Sequence, residues 1–259
     1  MHKKICLLLL IADSLTAQAL IINPSSIQTI GKKIWHNECK GTIDGLTHWN
    51  DGEEFASLGI GHFIWYPATK KPRLFQETFP SLVTFLQTKK APVPAWLAKT
   101  KTCPWHTRQE FIAAHRSVKM QELRTLLATT VNLQTEFIIK NLADHLEKKQ
   151  KELPKATFDH IKKQFYRVAK NPNGIYALID YANFKGVGFN PREQYNNHGW
   201  GLFHVLQTMK GTSSETALAE FCTVAKQILT TRVQNAPQKR NEARWLPGWL
   251  NRIDTYLKS

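Results

Sequence analysis

The sequence predicts a mainly α (α+β) fold, a helical chain with a small β-hairpin or three-stranded ribbon near its N-terminus. Three observations lead there. Apolar residues recur at helical spacing through most of the chain. Glycines gather in one short stretch, Gly41, Gly45, Gly52, Gly59 and Gly61, among strand-favouring residues. The composition of the 259 residues is globular, with 42% hydrophobic and 10% aromatic side chains including 8 Trp. With only 13 Gly and 12 Pro, a collagen-like or low-complexity chain is excluded. No apolar run is long enough for a multi-span helical membrane protein.

Residues 1–19 read as a secretory signal. His2, Lys3 and Lys4 form a positive start, Ile5 to Ala12 an apolar run too short to span a bilayer, and Ala17-Gln18-Ala19 a small-x-small cleavage site. The expectation is a periplasmic or secreted mature chain from Leu20. Cys39, Cys103 and Cys222 then remain, and an odd number leaves at least one unpaired. A Cys39–Cys103 bridge is the weakly favoured pairing, because both flank irregular Trp- and Gly-rich sequence. The net charge of +15 suits nucleic acid, an anionic surface or plain solubility. Export argues against nucleic acid and leaves peripheral contact with anionic envelope surfaces.

The elements follow in order. Ser25 or Ser26 caps a first helix carrying Ile27, Ile30 and Ile34 and ending near Glu38. Gly41 to Ile64 forms the ribbon. Pro80 opens a helix with Leu82, Phe85 and Leu86, and 91–105 is a proline-rich connector or short helical turns. Thr107 and Glu110 make a capping box before a stripe of Phe111, Ala114, Val118 and Leu123. Leu133 to Leu153 is a long amphipathic helix, and Pro154 opens the next, with Phe158, Ile161, Phe165 and Val168. A turn at Asn171–Gly174 precedes a buried helix over Ile175–Ala182. Gly186–Gly199 is irregular, and Trp200–Met209 is helical. Thr212 and Glu215 suggest a second capping box before Leu218, Phe221, Val224, Ile228 and Leu229. Trp249–Leu257 closes the chain.

Chemistry concentrates between Trp35 and Trp65. Glu38 ends the first helix, where the helix dipole is negative, beside Trp35 and the apolar strands. Both surroundings favour the protonated carboxyl, the form a general acid for glycosidic cleavage requires. Such cleavage also needs a second carboxylate or a polarised water across the scissile bond. Asp51, on the hairpin, is the candidate, with Glu53 or Glu54 as alternatives, and Ser57 can hold the water. Trp49 and His62 complete the set as sugar-contacting groups, although a histidine there also suits a purely structural hairpin role.

At Glu38, Asp51 and Ser57-Leu58-Gly59-Ile60-Gly61-His62 the sequence resembles the phage-type lysozyme (muramidase) family. That family carries a catalytic Glu at the end of its first helix, then an Asp, a Thr and I-G-I-G-H on a hairpin. Asp51 precedes Ser57 by six residues, the family spacing. The resemblance implies a single lysozyme-like domain over 20–259 with helical insertions, acting on the β-1,4 bonds of peptidoglycan. It implies Glu38 as acid, Asp51 as second carboxylate and Ser57 in the place of the threonine. The departures are a longer Glu38-to-Asp51 segment and Ser for Thr. Beyond Trp65 the likeness fades, with a weak echo at Arg240-Asn241-Glu242-Ala243. A lytic transglycosylase and a non-catalytic wall-binding protein are the rival readings.

A second dense region, Tyr181 to Gln207, suits a sugar cleft that faces the Glu38 hairpin. Asn183, Lys185 and Trp200 are its candidate substrate contacts, because aromatic faces stack on pyranose rings and amides bind hydroxyls. The same aromatics also suit a core. Gly186-x-Gly188 lacks the rest of a nucleotide loop, there is no HExxH and no GxSxG, and neither a metal nor a cofactor is expected.

Overall fold

The computed structural model describes residues 7–9, 20–22, 24–68, 73, 75–188 and 193–258, with backbone alone for 7–9 and 20–22. The fold is mainly helical with small antiparallel sheets, as the periodicity implies. Most of the signal-sequence expectation lies outside the described residues. Of it, Leu7–Leu9 is described as β1, which pairs antiparallel with β2 (Leu20–Ile22) of the expected mature chain. The sequence reads 20–259 as one domain. The chain groups into two compact units, Met1–Lys140 and Asn141–Ser259.

In the first unit α1 spans Pro24–Cys39, with proline at its first position, where no amide hydrogen is needed. Ile27, Ile30 and Ile34 recur every three to four residues and are buried. The ribbon is three-stranded in the order β3 (Thr47–His48), β4 (Ala56–Leu58), β5 (Phe63–Trp65). Ser57 sits opposite His48 on one side and Ile64 on the other. Next come α2 (Phe79–Thr88), α3 (Ala95–Lys99) and α4 (Arg108–Ala113). An aromatic cluster fills this end, with Trp65 against Phe79 and Trp105, and Phe111 against Trp105 and Trp49.

The single helix expected from Thr107 onward is two. The Thr107 hydroxyl accepts from the Glu110 amide at 3.1 Å, while the Glu110 carboxylate takes the His106 amide at 2.8 Å. A 3-10 turn over Ala114–Arg116 then ends α4, and Ser117 caps α5 (Val118–Thr129) afresh. Val118 is 71% exposed, and Met120, Leu123 and Leu127 form the buried stripe instead. α6 (Val131–Glu152) begins in the first unit and continues into the second.

The second unit continues with α7 (Lys155–Ala169), α8 (Gly174–Lys185), β6 (Gln194–Tyr195), β7 (His198–Gly199), α9 (Leu202–Thr208), α10 (Ala217–Asn235) and α11 (Leu246–Asp254). The stretch expected to be irregular thus holds a hairpin. Asn196 and Asn197 both take positive φ at its tip, the geometry that closes a two-residue turn. The second capping box does not form. Glu220 accepts the amides of Lys210 and Gly211 at 2.7 and 2.8 Å, which pins the loop, and α10 starts only after Thr216.

Buried polar links organise this unit. Arg252 forks onto Asp180 at 2.9 and 2.8 Å, and the Tyr256 hydroxyl donates to the same carboxylate at 2.7 Å. Arg232 forks onto Glu242 at 2.7 and 3.0 Å, and the Tyr195 hydroxyl donates to it at 2.9 Å. Burial acts to raise the Glu242 pKa, but these partners outweigh it and the net direction is down. A depressed folded-state pKa adds stability above the ordinary carboxylate range and loses it as pH falls through the folded value. Acid unfolding monitored by circular dichroism is therefore expected to be shallower in Glu242→Gln, and an unchanged acid limb would contradict this.

The Cys39–Cys103 bridge is not formed. All three described cysteines are free and buried. The Cys39 thiol donates to the Gly59 carbonyl at 3.6 Å and that of Cys222 to the Ile253 carbonyl at 3.7 Å. Burial is the main cause that pushes each thiol pKa up to about 12. Iodoacetamide at neutral pH is expected to leave all three unmodified in the folded protein and to modify all three in guanidinium without reductant. A requirement for reductant would contradict the free thiols.

Candidate active site

The site grows from the end of α1. Lys40 and Gly41 take left-handed φ values, 56° and 66°, and the Gly41 amide returns to the Trp35 carbonyl at 3.2 Å. This turn stops the helix and leaves Glu38 in its last residues. The Trp35 indole N–H donates to the Thr42 carbonyl at 3.0 Å, which holds the exit in place. The Cys39 contact to Gly59 ties the same helix end to the ribbon.

The ribbon supplies the second wall. Gly59 has φ of 70°, and a Cβ there would lie 2.3 Å from Gln134 Oε1 and 3.2 Å from Leu127 Cδ2. The Gly59 amide donates to the Leu46 carbonyl at 2.8 Å, and the Ile60 amide donates to Gln134 Oε1 at 3.0 Å. Gln134, fully buried on α6, completes the clamp by donating to the Leu127 carbonyl at 2.7 Å. Beyond Ile60 the chain turns at His62, whose φ is 47°. Its Nδ1 comes to 3.4 Å from Glu38 Oε2.

Glu38 and His62 are thus brought together, and the Glu38 side chain is only 11% exposed. Two proton arrangements suit this contact, a carboxylate facing an imidazolium or a carboxylic acid facing a neutral ring. Asp51 lies exposed in the turn between β3 and β4. Ser57 is buried on the central strand. Of the alternative carboxylates, Glu53 accepts from the Asn50 side-chain amide at 2.9 Å, whereas Glu54 is exposed.

The expected sugar platforms are placed differently. Trp49 is buried against Phe111, with its indole N–H on the Glu53 carbonyl at 2.8 Å. Trp200 is buried under the Arg232 guanidinium at 4.0 Å, in the second unit. The Lys185 ammonium lies 3.1 Å from the Trp249 ring centroid and 4.0 Å from that of Phe184. These three side chains are spent on packing and cation–π contacts, because an unpaired apolar or charged group gains more from such partners than from water. Asn183 is half-buried on α8.

Sequence reasoning missed Gln134. A polar residue on a buried helix face carries no local signature, and its partners lie 74 and seven residues away. Replacing Gly59 by Ala forces a side chain into the left-handed region against Gln134. It is expected to lower stability by about 1–3 kcal/mol in urea unfolding, and an unaltered midpoint would contradict the clamp.

No family model, no curated protein and no solved structure matches the chain. Among the described residues no helix is long and apolar enough to cross a membrane, and no group of three or more His, Cys, Asp or Glu is placed to hold a metal ion.

Proposed function

We propose that the chain is an exported glycoside hydrolase of the lysozyme type that cleaves the β-1,4 bond between N-acetylmuramic acid and N-acetylglucosamine in peptidoglycan. The observation that carries this reading is the Glu38 carboxyl, largely withdrawn from solvent at a helix end and faced by His62 of the G-I-G-H turn. In the proposed reaction Glu38 gives its proton to the glycosidic oxygen as the C–O bond breaks. Asp51 stabilises the oxocarbenium-like centre or holds the attacking water, and the Ser57 hydroxyl helps position that water. The water's hydroxyl joins the sugar, and its remaining proton restores Glu38, directly or through the His62 imidazole. The chain's positive charge draws it to the anionic envelope in which this polymer lies.

The exposed position of Asp51 favours a second reading, a lytic transglycosylase. There Glu38 acts alone and the sugar's own hydroxyl closes an anhydro ring. Zymography on purified peptidoglycan tests the common premise. Clearing by wild type and not by Glu38→Gln is expected. Equal clearing by both refutes the assignment, and binding without clearing by wild type favours a non-catalytic wall-binding protein. The mass of the products then separates hydrolysis from anhydro-ring closure.

A further inference from the structure

The second unit contains an open cavity of about 380 Å³ whose walls come from the β6–β7 hairpin, α9 and α10. Its size falls at the lower end of small-molecule pockets, about 300–1,000 Å³. Among the described residues its lining holds no Asp, Glu, Lys or Arg, and its titratable groups are His198 and His204. A charged ligand would find no carboxylate, ammonium or guanidinium among these residues to pair with, so the chemistry favours a neutral, hydrogen-bonding one.

The lining side chains are suited to such a ligand. Asn197 on the hairpin tip, Gln207 on α9 and Gln227 on α10 each carry a donor and an acceptor. None of the three side-chain amides takes a hydrogen bond among the described residues, whereas Gln134, an amide placed for structure, is engaged through both its oxygen and its nitrogen. Thr231 adds a hydroxyl and Ile228 a small apolar wall. The His204 ring slots between two glycines. A Cβ on Gly199 would fall 2.1 Å from its Nε2, and one on Gly188 would fall 2.8 Å from its Nδ1. Burial lowers the His204 pKa, although a hydrogen bond to the Gly201 backbone opposes this, and the ring's Nδ1 is buried in this wall.

The walls are also held in place before any ligand arrives. The Asn196 side chain donates to Asn235 of α10 at 2.9 Å, and Tyr195 is fastened to Glu242. A preformed pocket loses less entropy on binding.

We infer that this cavity is a saccharide-binding site for a neutral acetamido-sugar unit. Amides and threonine hydroxyls would meet the ring hydroxyls and the acetamido N–H and C=O, and Ile228 the acetamido methyl. The choice of an acetamido-sugar rests on the proposed peptidoglycan substrate. The neutrality and hydrogen-bonding class rest on the cavity alone.

The test is a titration of the full chain with the trimer of N-acetylglucosamine, followed by the side-chain amide NMR signals of Asn197, Gln207 and Gln227. Those signals are expected to shift in a saturable way, equally in wild type and Glu38→Gln. Maltotriose, which lacks the acetamido group, is expected to shift them less. Gln227→Leu, an exposed position that the fold does not depend on, is expected to weaken binding about 5-fold, the loss of one hydrogen bond. Shifts without wall clearing would leave this site standing while the catalytic reading fails. Wall clearing without shifts, an equal response to maltotriose, or unchanged affinity in Gln227→Leu would overturn it.

Discussion

Replacing Glu38 by Gln is expected to lower the release of soluble fragments from peptidoglycan about 10²–10⁴-fold, the usual contribution of a positioned general acid. The amide keeps the shape of the carboxyl and cannot deliver the proton. The fold should tolerate the change, because the core of α1 is carried by Ile27, Ile30 and Ile34 rather than by Glu38. The neighbouring Cys39 ties the same helix end to Gly59 and is untouched by the change. Urea unfolding of the variant is therefore expected to overlay that of wild type. Loss of clearing together with loss of stability would instead make Glu38 a structural residue.

The largest stability effect is expected at Asp180. Its carboxylate is fully buried on α8 and compensated by three bonds, two from the Arg252 guanidinium and one from the Tyr256 hydroxyl. Asp180→Ala strips that compensation and leaves a cation with no counter-charge from α8. Breaking a buried pair in this way costs about 3–5 kcal/mol. The damage should centre on the second unit, where α8 and α11 are held together by this pair. Tyr256→Phe removes one bond only and should cost about 1 kcal/mol. Chemical denaturation followed by circular dichroism would read both, and equal stability of Asp180→Ala and wild type would contradict the network.

The helices were legible because their signals are local. Ile27, Ile30 and Ile34 mark one face of α1, and Pro154 marks the approach to α7, which begins at Lys155. The ribbon was legible because glycines punctuate it. The break between α4 and α5 was not. Ala114 and Val118 stand four residues apart and imitate one continuous stripe, while the cap at Ser117 decides the matter with a hydrogen bond to the Met120 amide. Partnerships at long separation were equally hidden. Arg252 and Asp180 are 72 residues apart, and nothing in either neighbourhood names the other.

The candidate site divides in the same way. Glu38 and His62 were both singled out from the sequence, and their meeting depends on two local turns, at Lys40–Gly41 and at His62. The roles of Trp49, Lys185 and Trp200 were not legible. An aromatic or a lysine in a polar loop has the same sequence appearance whether it waits for a sugar or packs against Phe111, Trp249 or Arg232. The cavity beside His204 escaped because its side chains come from three elements that the chain joins only after folding.

The most direct test is mass spectrometry of the soluble material released from purified peptidoglycan by wild type and by Glu38→Gln. Disaccharide-peptides ending in N-acetylmuramic acid are expected from wild type, with only traces from the variant. No fragments from wild type, or the same yield from both proteins, would contradict a catalytic Glu38.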